Sequence, residues 1–152
     1  MGDVLTKEQR SYNMSRIRGS NTAPEVALRR ALRDLGLRGY RIKSPLPGKP
    51  DIVFLKSKIA VFVDGCFWHS CPVHGHIPKS NLDYWAKKLA KNIERAKNKD
   101  LRLREEGWTI IHYWEHDIKK DPQKLAFQTC KKFTSILTGL NRKLFDAKSL
   151  KQ

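Results

Sequence analysis

The sequence holds no long apolar run, few acids for its bases and an odd number of cysteines, and each shortage closes off a class of protein. No hydrophobic stretch approaches the roughly 20 residues of a membrane-spanning helix. The opening MGDVLTKEQR is too polar for a secretory leader, so a cytoplasmic protein is expected. Three cysteines cannot all pair, and without an export signal they point to metal binding rather than a disulfide scaffold. No internal repeat or linker divides the chain, and its 152 residues predict a single domain, 1–152, with its own core. Only 15 Asp and Glu stand against 31 Lys and Arg, leaving a formal charge of +16 and a pI near 10.0. That excess calls for a polyanionic partner, nucleic acid first, while a membrane partner would need a basic amphipathic anchor or lipidation signal.

What is there is concentrated in Val61–His74, VFVDGCFWHSCPVH. The β-branched and aromatic run Ile59–Val63 reads as a buried strand that delivers Cys66, Phe67, Trp68 and His69 onto the loop at its end. Upstream, Pro47-Gly48-Lys49-Pro50 leads into Asp51 and the apolar Ile52–Leu55. Pairing of Asp51–Leu55 with Lys58–Asp64 across a Lys56-Ser57 turn would bring Asp51 close to the end of the second strand.

Around this pair the pattern alternates between helix and strand. Residues 1–20 are polar and basic, with Met14 and Ile17 among Arg10, Arg16 and Arg18, and read as a short helix or an arm. Thr22-Ala23-Pro24-Glu25 has capping-box spacing and opens a predicted helix from Ala23 to Leu35, closed by Gly36. Tyr40–Lys43 is a weak strand candidate. Leu82, Trp85, Leu89, Ile93 and Ala96 recur at helical spacing, predicting a long basic helix that ends near Glu106 before Gly107. Trp108–Trp114 suits a central strand. An amphipathic helix over Pro122–Leu137 precedes a basic tail, 138–152, expected to be poorly ordered. This order predicts a layered α/β domain, a mixed sheet flanked by helices, with its site at the strand ends.

Cys66, Cys71, His74, His76 and His116 supply the metal argument. Cys66-x4-Cys71-x2-His74 could close on a fourth ligand from beyond the last strand, and thiolates and imidazoles in fours suit tetrahedral zinc. Cys130 falls on the apolar face of the last helix and is assigned to the core. His112, alternating with apolar neighbours, reads as a satisfied or surface histidine. For catalysis, Asp51 suits a hard divalent cation, and a second acid at the next strand's end, Asp64, echoes Mg²⁺-dependent nucleases. The usual Asp/Glu-x-Lys ending is absent, and His69 is the natural substitute base, an imidazole being the side chain suited to proton transfer near neutral pH.

Taken together, these residues resemble the very short patch repair (Vsr) DNA mismatch endonucleases. The resemblance spans about Thr6 to Asp117. It is carried by Asn13-Met14, Thr22-Ala23-Pro24-Glu25, Leu46–Asp51, Phe62-Val63-Asp64-Gly65-Cys66-Phe67-Trp68-His69, Asn92, Gly107-Trp108 and Trp114-Glu115. It implies a restriction-endonuclease-like fold with a structural zinc, and nicking of one strand of duplex DNA 5′ to the thymine of a T·G mismatch. Asp51 then matches the Mg²⁺-binding carboxylate, Val63 a main-chain oxygen donor to that metal, and His69 the water-activating histidine. Glu25 and Asp64 fall among the active-site acids, although family members differ at Asp64. Phe67 and Trp68 match aromatics that wedge into the base stack, with Met14 entering from the other groove. His116 stands where a cysteine is common after Trp-Glu, so zinc would sit on Cys66, Cys71, His74 and His116, with His74 favoured over His76. The implied protein is a nucleoid-associated monomer, with mismatch-repair proteins as a further partner class. Two alternatives stay open: a zinc-stabilised, non-catalytic DNA-binding module, and a restriction-like double-strand cutter on the same core.

Overall fold

A computed structural model describes residues 5–149, with side chains to residue 143. The elements run α1 (Lys7–Arg16), α2 (Ala23–Asp34), β1 (Ile52–Phe54), β2 (Ile59–Asp64), α3 (Leu82–Glu105), β3 (Thr109–Trp114), α4 (Glu115–Lys120) and α5 (Pro122–Ser149). Among the described residues the sheet has three strands in the order β1-β2-β3. β1 and β2 form the expected antiparallel hairpin, and β3 joins β2 in parallel after the α3 crossover.

Side-chain alternation sorts the two faces. Ile59 and Val61 of β2, with Ile52 and Phe54 of β1, point into the main core beneath Leu28, Ala31 and Leu32 of α2 and Leu125 and Ala126 of α5. Ala60 and Phe62 point the other way and pack with Leu103 of α3, Trp108 and Ile110. The sheet is thus sandwiched between α2 with α5 on one face and α3 on the other. No helix among the described residues is long and apolar enough to cross a membrane.

Four expectations need correction. Trp108–Trp114 does not form the central strand: β2 is central and β3 lies at the sheet's edge, its apolar residues only half-buried between the helical layers. Tyr40–Lys43 contributes a single bridge, Arg41 to Val53. Thr22 makes no side-chain cap; the chain turns left-handed at Asn21 (φ 54°), so Glu25 takes the Asn21 N–H (2.8 Å) and the Thr22 hydroxyl (3.0 Å). A complete capping box exists one helix earlier, between Thr6 and Gln9. Finally, α5 continues past Leu137 to Ser149; residues 150–152 of the expected tail lie outside the described residues.

Candidate active site and metal centre

Asp51 immediately precedes β1 and Asp64 ends β2, so a register that sets Ile52 opposite Val61 carries both acids to one end of the sheet. Counting alternate residues places Asp51, Phe62 and Asp64 on the α3 face. There they line a cavity of about 410 Å³ with Val63, His69 and the α3 residues Asn92 and Arg95.

The Val63 N–H donates to Asp51 Oδ2 at 2.7 Å. Burial pushes the Asp51 carboxyl up to about 6, and the negative charges of Glu25 and Asp64 add to the push, against the Val63 hydrogen bond and the positive charge of Arg29. A carboxylate flanked by two further acids fits a hard divalent cation. Asp64 Oδ2 lies 2.7 Å from His112 Nδ1, while its Oδ1 faces His69 Nε2 at 3.9 Å. The far nitrogen of His112 reaches Asp100 Oδ2 at 2.9 Å. His112 is therefore satisfied on both sides. Burial pulls its pKa down, but the two carboxylates outweigh this and hold it above the ordinary value.

A second cavity, of about 540 Å³, is continuous in residues with the first through Asp51, Val63 and His69. Met14, Glu25, Phe67 and Trp68 line it, so the proposed base-wedging residues and the acids border one cleft. Glu25 is buried and paired with Arg29 at 3.6 Å. Phe67 meets Trp68 edge-on (4.9 Å) and packs on Trp85 of α3 (5.3 Å), and the Lys88 ammonium lies over Trp68, Tyr84 and Trp85. Met14 is exposed on α1.

Beyond the aromatics, the loop returns to form a second constellation. Ligand atoms of Cys66, Cys71, His74 and His116 all lie within 4.8 Å of one another. Cys66 Sγ and Cys71 Sγ sit 3.2 and 3.6 Å from His116 Nδ1, close to the roughly 3.4–3.8 Å between ligands of a tetrahedral zinc. His76 stands outside the group, its ring 5.5 Å from that of Phe67. Burial pushes the Cys66 thiol up. At Cys71 burial acts the same way, but backbone N–H groups of His74, Val73 and Gly75 outweigh it and favour the thiolate that a metal requires. Gly75 lets the loop close: a Cβ there would collide with the Cys71 carbonyl and stand 2.7 Å from the Cys71 nitrogen. His116 Nε2 contacts Asp117 at 3.3 Å, the carboxylate–imidazole arrangement that orients a metal-binding histidine.

The sequence has counterparts among known proteins. The family model for DNA mismatch endonuclease Vsr matches residues 2–74. Type II nicking enzyme V.NaeI of Lentzea aerocolonigenes is 46% identical over 117 residues, covering 74% of this chain and 70% of that protein. Type II nicking enzyme V.XorIIP of Xanthomonas oryzae is 42% identical over 120 residues, covering 78% and 88% of the two chains. DNA mismatch endonuclease Vsr of Escherichia coli is 37% identical over 121 residues, covering 76% and 74%. The chain belongs to the Vsr family of DNA mismatch endonucleases. As a Vsr-family member this chain is a DNA endonuclease.

Several residues of the site escaped sequence reasoning. Glu115 accepts the Cys66 N–H at 3.0 Å and so ties the aromatic loop to α4; its place in Trp114-Glu115 was the available signal. Asp117 follows His116 directly. Asp100 lies in a charged run of α3, and nothing in that run marks it.

Proposed function

We propose that this endonuclease requires Mg²⁺ and nicks one strand of duplex DNA 5′ to the thymine of a T·G mismatch. The observation that carries the reading is the shared cleft: Asp51 and His69 line both adjoining cavities, one completed by Asp64 and the other by Met14, Phe67 and Trp68. Asp51 and the Val63 main-chain oxygen would hold Mg²⁺, which when bound polarises the scissile phosphate and offsets the charge that develops on it. His69 takes the proton from the attacking water, and Asp64 faces the imidazolium that results. Glu25 braces the junction of α1 and α2 and raises the local negative potential. Phe67 and Trp68 wedge beside the mismatch with Met14 opposite, so the ease of distorting a T·G pair becomes a source of selectivity.

Cys66, Cys71, His74 and His116 would bind a structural zinc that pins the wedge loop at both ends. The fold is of the restriction-endonuclease type, and the enzyme acts as a nucleoid-associated monomer, with mismatch-repair proteins as further partners. Incubation of supercoiled plasmid carrying T·G sites with Mg²⁺ or with chelator tests the reaction type. Open circles formed only with Mg²⁺ are expected; linear product would mark a double-strand cutter, and unchanged supercoils a binding module.

A further inference from the structure

We infer that His112 is a positioning residue of the nicking reaction, holding Asp64 against His69 by bridging Asp64 to Asp100. The inference rests on the nicking activity proposed above and extends it to a residue that is not among those carrying the Vsr resemblance.

Three elements supply the bridge. Asp64 ends β2, His112 lies two residues before the end of β3, and Asp100 projects from α3. Parallel register sets Phe62 beside His112, and the two rings stack at 4.9 Å and 11°, which fixes the plane of the imidazole. In that plane both nitrogens meet carboxylates, Nδ1 with Asp64 Oδ2 at 2.7 Å and Nε2 with Asp100 Oδ2 at 2.9 Å. Each contact is short enough for a charge-assisted hydrogen bond. Asp64 Oδ2 is thereby engaged, and Oδ1 is left directed at His69 Nε2, 3.9 Å away. Without the bridge Asp64 could turn about its own side-chain bonds, and two acids on the rim of one cavity would repel. All four residues line that cavity. Of the acids proposed for the reaction, His112 bonds Asp64, and the proposed role runs through that carboxylate.

His112→Phe keeps the stacking on Phe62 and removes both hydrogen bonds. Single-turnover nicking of a T·G duplex at saturating Mg²⁺ should slow by about ten-fold or more, the range typical of residues that orient a reacting group. Duplex affinity should stay within about two-fold, because His112 lies away from the wedge. The deciding comparison is with Asp64→Asn and with the double variant Asp64→Asn/His112→Phe. If His112 acts through Asp64, the double variant is no slower than Asp64→Asn alone. Multiplying losses, or a His112→Phe enzyme as fast as wild type, would overturn the inference. His112→Gln, whose amide N–H can still donate to Asp64, guards against misfolding and should recover part of the rate; recovery of none, with a folded protein, also counts against it. Wild-type nicking in the same assay separates the two levels, since its absence would remove the proposed function and this inference with it.

Discussion

Asp51 and Val63, twelve positions apart, are joined by a 2.7 Å hydrogen bond from the Val63 N–H to the Asp51 carboxylate. One strand's mouth is thus tied to the end of its partner, and the residue that orients the acid is the one whose main-chain oxygen is proposed to share its metal. Val63 lies on β2 and ties Asp51 to that strand, which favours a precisely held cation.

Asp51 ionisation costs stability in the metal-free protein. Its carboxyl is raised from 3.8 to about 6, so between those values the folded state binds more protons than the unfolded one. Stability therefore falls as pH rises from about 4 to about 6 and stays at the lower level above, by up to about 3 kcal/mol. Asp51→Asn should abolish Mg²⁺-dependent nicking, leave DNA binding largely intact and raise the metal-free melting temperature at pH 7.5 but not at pH 4. Melting curves at the two pH values check it; a variant less stable at pH 7.5 would contradict the electrostatic argument, and wild-type cleavage would remove Asp51 from the mechanism.

One tightly held zinc per chain is expected on Cys66, Cys71, His74 and His116. Elemental analysis should find it, and Cys71→Ser should lose it. Gly75→Ala should weaken retention and cost about 1–3 kcal/mol through the collision with Cys71. His76→Ala should keep the metal. A folded protein devoid of zinc would refute the centre.

Trp68 is half-buried between Phe67, Trp85 and Lys88. Stacking on a base is worth about 1–3 kcal/mol per ring. Trp68→Ala should weaken binding to mismatched duplex by about that much and erode the preference for T·G over matched DNA, with zinc content unchanged and the melting temperature little altered. A large fall in melting temperature with intact preference would make Trp68 a packing residue instead.

Much of this was legible in the sequence where local pattern and short range coincide. Two short apolar runs on either side of a Lys56-Ser57 turn placed Asp51 close to the end of β2, because a hairpin leaves little freedom of register. The His74 and His76 alternatives separate only in three dimensions, where the turn at Gly75 directs one ring to His116 and the other to Phe67. The continuous apolar run of β3 misled as to position: helical layers on both faces make an edge strand look like a central one. Glu25 looked like half of a cap until the left-handed turn at Asn21 redirected it. The bridge from Asp64 to Asp100 was illegible, since it depends on how α3 crosses the sheet rather than on any spacing along the chain.

The decisive measurement is strand-resolved cleavage of end-labelled duplexes, one set carrying T·G in varied flanking sequence, others matched or bearing different mismatches, each with Mg²⁺ and with chelator. A single nick in the thymine strand, immediately 5′ to the mismatched thymine and only with Mg²⁺, is expected. Equal cutting of matched duplex, cutting of both strands, or cleavage that persists in chelator would contradict the proposed function.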